Sequence, residues 1–294
     1  MIEITDLTKT YPGSVQALRG LTLHINYGMF GLVGPNGAGK TTLMRILAGL
    51  VQPTTGQVQV FSNDMTTPAG KMAVKAQLGY LPQELGLYPN LTGTEFLDYI
   101  AILKGMSNKA ARQQTVQDVL EQVRLTDAAH RRLKTYSGGM KRRIGIAQAL
   151  LGNPQLVIVD EPTVGLDPEE RVRLRNLLAD LATRCTVILS THIIEDISQS
   201  CNALAVIDKG QVRFHGNPRD LIKQASGKVW LVETAGERPT GDIVIVSSVQ
   251  REHTTKYRVV GTPGQHDKAT ATEPSLEDGY MWLMRQQVTP SVIR

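Results

Sequence analysis

Gly34-Pro35-Asn36-Gly37-Ala38-Gly39-Lys40-Thr41 decides how the rest of this 294-residue chain is read. It matches the pattern G-x-x-x-x-G-K-[ST] in full. Met29-Phe30-Gly31-Leu32-Val33 precedes it and reads as a buried strand. Thr42 to Ala48 follows as a helix, with Gly49 as its C-cap. Strand, glycine-rich turn and helix in that order make one unit, in which backbone N–H groups curl around phosphate oxygens. Glycines permit the curl because they lack a Cβ. The helix beginning near Lys40 points its positive end at the same anion. Lys40 adds a point charge for the β- and γ-phosphates, and the Thr41 hydroxyl is suited to Mg²⁺. Gly34, Pro35, Asn36, Gly37, Ala38, Gly39, Lys40, Thr41 and Thr42 are therefore the candidate nucleotide contacts.

A second element agrees with the first. Leu156-Val157-Ile158-Val159-Asp160-Glu161 is four apolar residues ending in two carboxylates. A buried strand delivers such a pair to its C-terminal edge, where open α/β sheets bind ligands. There Asp160 is suited to hold Mg²⁺ through water, and Glu161 to orient and polarise a water for attack on a γ-phosphate. Thr186–Leu189 and Ala203–Ile207 are likewise short and apolar, as parallel strands covered on both faces must be. Ahead of the phosphate loop, Ile2 and Ile4, then Leu21, Leu23 and Ile25, alternate as antiparallel strands do.

Between about residues 84 and 150 the pattern turns helical. Thr92 with Glu95 fits a capping box. Phe96, Tyr99, Ile100 and Leu103 follow at helical spacing up to Gly105. A second helix is expected over Ser107 to Arg124, with Val116, Val119, Leu120 and Val123 on one face. The spacing predicts an α/β phosphate-loop domain over 1–224: a mainly parallel sheet, an antiparallel N-terminal part and a helical insertion at about 84–150. Residues 225–294 read as a small α+β appendix. Val229–Val232, Ile243–Val246 and Tyr257–Val260 are its strands, Gly261 to Pro274 a loop, and Ser275 the cap of a last helix, Leu276–Gln287. Trp230 and Trp282 are read as packing residues.

Tyr136-Ser137-Gly138-Gly139-Met140 opens a helix that starts Lys141-Arg142-Arg143 and runs to about Leu151. A Ser-Gly-Gly turn at a helix N-terminus is a second anion seat. With it, the chain resembles the nucleotide-binding subunit of an ATP-binding cassette (ABC) transporter, whose signature is usually Leu-Ser-Gly-Gly-Gln. Tyr136 and Met140 depart from that signature, and Met140 removes any hydrogen bond made by a glutamine. Ser137, Gly138 and Gly139 keep their nucleotide role by resemblance. The likeness covers about residues 1–220 and supplies further roles. Tyr11 resembles the aromatic that stacks on adenine. Gln83 resembles the switch glutamine that contacts Mg²⁺ and the attacking water. His192 resembles the switch histidine near the γ-phosphate. Gly165-Leu166-Asp167 resembles the loop crossing the dimer interface, with Val164 where a serine is common.

By the same resemblance, the signature of one subunit covers ATP held by the phosphate loop of another. The implied assembly is a head-to-tail homodimer with two ATP and Mg²⁺, driving separate membrane permease subunits. Tyr136 to Arg143 and the stretch Glu273 to Leu283 resemble the ABC-2 group, which serves drug and antibiotic export. The alternative is a related soluble ATPase acting on nucleic acid, in repair or in translation. Against it, only about 95 residues separate Thr41 from Tyr136, too few for a coiled-coil insertion, and there is one cassette and no cysteine-rich module. No nucleic-acid partner is expected.

Composition sets the outer bounds. Apolar residues at 41% and charged residues at 20% exclude collagen-like, acidic disordered and disulfide-scaffold classes. Cys185 and Cys201 are the only cysteines and read as buried thiols. No run approaches the 18 apolar residues of a membrane span, and the N-terminus lacks a signal-peptide profile. The expected location is cytoplasmic, peripheral on the inner membrane face through the permease. The net charge of +5 is concentrated: residues 124–143 hold seven basic side chains and one acidic. Residues 225–294 hold eight of each. The basic cluster surrounds the signature, where a partner's ATP phosphates are expected.

Overall fold

The computed structural model describes residues 1–163, 165–264 and 268–286. Strands β1 (Ile2–Tyr11) and β2 (Val15–Ile25) form a hairpin in which Ile2 faces Ile25 and Ile4 faces Leu23. These inward residues are buried, as the alternation requires. β3 (Met29–Val33) is buried throughout and leads through the phosphate loop into α1 (Lys40–Leu47). Gly49, at φ +67°, follows this helix in the left-handed conformation that a C-cap glycine takes. β4 (Thr55–Val60) and β5 (Asn63–Asp64) complete a four-stranded antiparallel sheet in the order β2-β1-β4-β5. α2 (Pro68–Ala76), capped by Thr67, then delivers the chain to β6 (Leu78–Leu81).

A helical subdomain separates β6 from the next strand. It consists of α3 (Gly93–Leu103), α4 (Lys109–Gln122) and α5 (Gly138–Leu150). The capping box of α3 is complete: Thr92 N–H donates to Glu95 Oε2 at 2.8 Å, and Glu95 N–H to Thr92 Oγ1 at 3.2 Å. Its buried face differs from the expected one. Phe96, Leu97 and Ala101 are buried, while Tyr99 and Leu103 are exposed. α3 packs on α4 and α5 along one side only. The other side carries Tyr99, set edge-on to Tyr88 at 5.6 Å.

β7 (Leu156–Asp160), α6 (Pro168–Ala182), β8 (Thr186–Thr191), α7 (Ile194–Ser198), β9 (Ala203–Asp208), β10 (Gln211–Gly216) and α8 (Pro218–Gln224) finish the central domain. The central sheet has the order β10-β9-β3-β8-β7-β6. All its pairings are parallel except β9 with β10. The crossovers bury both faces, so β3, β7 and β8 are buried end to end, each around an apolar run.

β11 (Val229–Thr234), β12 (Gly241–Gln250), β13 (Thr255–Pro263) and β14 (Ala269–Ala271) form a third, antiparallel sheet ordered β12-β13-β11-β14. The stretch 261–274 is therefore not all loop. β13 runs on to Pro263, and β14 pairs Ala269 to Ala271 with Val232 to Trp230. α9 (Leu276–Arg285) ends the described chain, and the expected helix end at Gln287 lies outside the described residues. Its Leu276 and Leu283 share a core with Ile197, Cys201 and Leu221 of the first 224 residues. Gly279 makes the approach possible, because a Cβ there would lie 2.4 Å from Leu221 O on α8. Trp230 Nε1 donates to Gly261 O at 3.0 Å, and the Trp282 ring sits beneath Lys228 and Arg285. Among the described residues, no helix is long and apolar enough to cross a membrane.

Candidate active site

The central sheet places the basic and acidic halves of the site on β3 and β7, on either side of β8. Val33, at the end of β3, is level with Thr191 on β8, and Ser190 is level with Asp160 on β7. Two strand spacings thus separate the start of the phosphate loop from Asp160, about 10 Å. The loop is wedged between β9 and β2. A Cβ on Gly34 would lie 2.0 Å from Ile207 O. Gly39, at φ +105°, has Ala17 O only 2.6 Å from where its Cβ would be. Only glycine fits either position, so the spacing of the motif records backbone contact as well as phosphate approach.

Lys40 is buried and points back along the loop. Its Nζ donates to Gly34 O at 2.6 Å and to Pro35 O at 3.1 Å. Burial lowers its pKa, while Glu161 and Asp160 pull it back up. Thr42 lies in the first turn of α1 beside Thr41. Pro35 O also accepts Ala38 N–H, which closes the turn. Gly37 is at φ +78° with nothing within 4 Å of an added Cβ, so that part of the loop faces open space.

Asp160 is 1% exposed, and neither carboxylate oxygen has a hydrogen-bond partner. Burial raises its pKa. The nearby hydroxyls of Thr41 and Ser190 oppose that shift without forming full hydrogen bonds, Glu161 adds to it, and Lys40 opposes it. An unpartnered buried carboxylate beside a hydroxyl offers hard oxygen ligands, the chemistry that fits Mg²⁺. Among the described residues no cluster of three His, Cys, Asp or Glu forms a protein-only metal cage. A Mg²⁺ that takes one carboxylate, a hydroxyl, phosphate oxygens and water needs none.

Glu161 occupies a left-handed conformation, φ +49°, unusual for a non-glycine residue. Its N–H donates to Ser190 O at 2.9 Å. This turn swings the side chain toward His192, whose Nδ1 lies 2.6 Å from Glu161 Oε2. The Glu161 side chain is nearly buried and that of His192 is half exposed, so the pair bridges interior and solvent. Gln83 comes to the same region by its backbone: its carbonyl accepts from Arg142 at 3.1 Å, and its side chain is exposed.

The remaining candidates lie farther along the surface. Tyr11 ends β1, with the Lys9 ammonium 5.0 Å from its ring centroid. Ser137 caps α5 by accepting Met140 N–H at 3.2 Å, and Ser137 and Gly138 are exposed. Gly139 is covered by Glu170, whose carboxylate leaves no room for a Cβ. Tyr136 is buried and donates to Ala128 O at 2.7 Å, so the departure from leucine anchors the signature turn. Met140 is half buried against the main core. Asp167 caps α6 by accepting Glu170 N–H at 2.8 Å, and Val164 lies outside the described residues. Two further polar links have no motif to mark them. Thr163 donates to Asp196 at 2.9 Å, joining the turn after Glu161 to α7, and Arg142 is buried among backbone carbonyls.

The profile of the ABC transporter family matches residues 18–164. The linearmycin resistance ATP-binding protein of Bacillus subtilis is 36% identical over 229 residues, which cover 77% of this chain and 72% of that protein. The Nod factor export ATP-binding protein I of Rhizobium etli is 36% identical over 228 residues, 77% of this chain and 71% of that one. A dimeric ATP-binding cassette, solved in a post-hydrolysis state with ADP and phosphate, superposes with a TM-score of 0.68. It is 26% identical and covers 74% of this chain and 98% of its own. The order of elements, the acidic strand end and these likenesses agree, and the chain belongs to the ABC transporter family, as a cassette that binds and hydrolyses ATP.

Proposed function

We propose that this chain is the ATPase subunit of an export system, working as a homodimer beneath separate permease subunits. The contact that carries the hydrolytic assignment is His192 Nδ1 to Glu161 Oε2 at 2.6 Å. It fixes one carboxylate oxygen and leaves the other to accept a hydrogen bond from water. That water attacks the γ-phosphorus as the bond to the leaving oxygen of ADP breaks. Lys40 and the loop N–H groups hold the phosphates, with Tyr11 beside the adenine. Asp160, Thr41 and Gln83 would hold Mg²⁺, which when bound neutralises charge on the phosphate oxygens. Ser137, Gly138 and Gly139 would meet the nucleotide of the second copy. ATP then favours the closed dimer by its differential affinity for that state.

Names of two relatives, for linearmycin resistance and Nod factor export, support export as the direction. Tyr88, Tyr99, Ile102 and Leu103 form an exposed apolar patch on the helical subdomain. Such a patch suits a protein partner, and the permease is the one this reading supplies. The chain would thereby sit on the cytoplasmic membrane face. Residues 225–294 are an accessory module, tied to the cassette through α9.

Glu161→Gln tests the assignment. Turnover should fall by about 10²–10⁴-fold, the range for loss of a positioned base. ATP should still bind, and a dimer should accumulate with ATP in light scattering. Wild-type turnover in this variant would sink the role of Glu161. Co-purification with a permease, followed by transport into or out of vesicles, tests the direction.

A further inference from the structure

Arg142 stands in a run of basic residues, Lys141-Arg142-Arg143, and nothing in the run distinguishes it. The structure does. Lys141 is exposed, whereas Arg142 is 7% exposed. A guanidinium has five N–H donors in a fixed planar fan. Nε donates to Pro162 O at 3.0 Å. Nη1 donates to Pro82 O and Gln83 O, both at 3.1 Å. Nη2 donates to Asp160 O at 2.6 Å and Glu161 O at 2.5 Å. All five go to main-chain carbonyls, and these belong to two segments far apart in sequence. One is the strand end and turn that carry Asp160 and Glu161. The other is the loop that carries Gln83. Arg142 itself rides on α5, the helix whose N-terminus is the signature.

Three facts make this more than glue. Glu161 is held at φ +49°, a conformation that persists only where its surroundings impose it. Its peptide groups are gripped on both sides, the N–H by Ser190 O and the carbonyl by Arg142. Arg143, one residue on, turns the other way. Its Nη1 donates to Val123 O and Arg124 O inside the helical subdomain, and its Nη2 lies 3.6 Å from Glu170 on α6.

We infer that Arg142 is a positioning residue for ATP hydrolysis: from the signature helix it sets, through one guanidinium, both the turn that aims Glu161 and the loop that carries Gln83. A displacement of α5 is then felt at both. The inference rests on the assignment of Glu161 and Gln83 made above.

The test uses the full chain, with ATPase rates measured against ATP concentration and thermal midpoints measured alongside. Arg142→Lys keeps a buried cation but not the fan, and Arg142→Gln keeps a single donor group. Both should lower kcat by about 10- to 100-fold, the scale of a displacement near 1 Å, with KM for ATP within about 2-fold. Arg143→Gln should keep kcat within about 2-fold. Retained kcat in the Arg142 variants would overturn the inference. So would a rise in KM that accounts for the loss, or an equal fall in Arg143→Gln. Variants that are unfolded at the assay temperature would assign Arg142 to stability alone and also overturn it. Glu161→Gln separates the two failures. If it turns over normally, the site assignment falls. If it is inactive while the Arg142 variants are active, only the present inference falls.

Discussion

Asp160→Asn should stabilise the nucleotide-free protein while removing its response to Mg²⁺. Asp160 is buried, and neither of its oxygens has a partner. A buried acceptor left unpaired costs about 1–3 kcal/mol, and more when charged. Burial wins over the nearby hydroxyls and Lys40, so the carboxyl pKa is raised. The sign follows. A raised folded value means that the charged form opposes folding, so stability is lost as pH rises through that value and Asp160 is a burden at neutral pH. Asparagine removes the charge and offers an NH₂ group to the hydroxyls of Thr41 and Ser190. It also removes the attraction for Lys40, so we take the low end, about 1–2 kcal/mol gained. At about 2–4 °C per kcal/mol this is a rise of about 2–8 °C in the thermal midpoint. Ligand reverses the order. Saturation at 100 times Kd adds about 2.7 kcal/mol to a protein that binds normally. Calorimetric melts of both proteins alone, with ATP, and with ATP plus Mg²⁺ make the comparison. The wild type should gain from adding Mg²⁺ to ATP, and Asp160→Asn should not. A variant that melts below the wild type without nucleotide, or gains equally from Mg²⁺, would refute the reading of Asp160 as a metal ligand held ready at a cost in stability.

Other outcomes follow from single contacts. Gly39→Ala puts a Cβ 2.6 Å from Ala17 O at φ +105°. Strain of about 1–3 kcal/mol should appear as a lower thermal midpoint and weaker binding of a fluorescent ATP analogue, and unchanged affinity would show that the loop yields. Asp278 is fully buried, which pushes its pKa up, yet Arg258 and Ser275 outweigh burial and leave it lowered. A lowered carboxylate contributes stability above its unfolded value, near pH 4, that is lost as pH falls through the folded value. Asp278→Asn should therefore cost about 3 kcal/mol at neutral pH and flatten the acid side of the stability curve, and an unchanged acid limb in circular dichroism would count against the pair.

The central domain was legible because its signals are local. The alternation of β1 and β2, the apolar runs of β3, β7 and β8, and the Thr92 capping box each sit within a few residues. The phosphate loop and Asp160-Glu161 were legible for the same reason, with strand order doing the rest. What escaped depends on partners distant in sequence. Helical spacing put Tyr99 and Leu103 with Phe96, but only the packing of α3 against one side decides which face is buried. β14 hides in a stretch rich in Gly, Pro and Thr because it exists only by pairing with β11. α9 reads as part of an appendix, and its tie to α8, through the core shared by Leu221, Leu276 and Leu283 and the close approach at Gly279, has no local signal. The Glu161–His192 pair spans 31 positions and has no spacing rule.

The fold draws two of the seven cations around the signature, Arg142 and Arg143, inward. Seven cations between residues 124 and 143 read as a field for a partner's phosphates. Arg142 gives all five donors to carbonyls. Arg143 gives Nη1 to Val123 and Arg124 and sets Nη2 3.6 Å from Glu170. Arg131 reaches Thr135 O. A guanidinium whose N–H groups all meet carbonyls has none left for phosphate, and its charge is spent in holding loops. The Glu170 carboxylate beside Gly139 further offsets the field at the turn. The seat we propose for a second copy's nucleotide therefore rests on the exposed Ser137 and Gly138, on the end of α5, and on the cations of the cluster that stay exposed, Arg124, Arg131, Arg132, Lys134 and Lys141. Charge in a sequence counts side chains, and only the fold decides which of them still face outward.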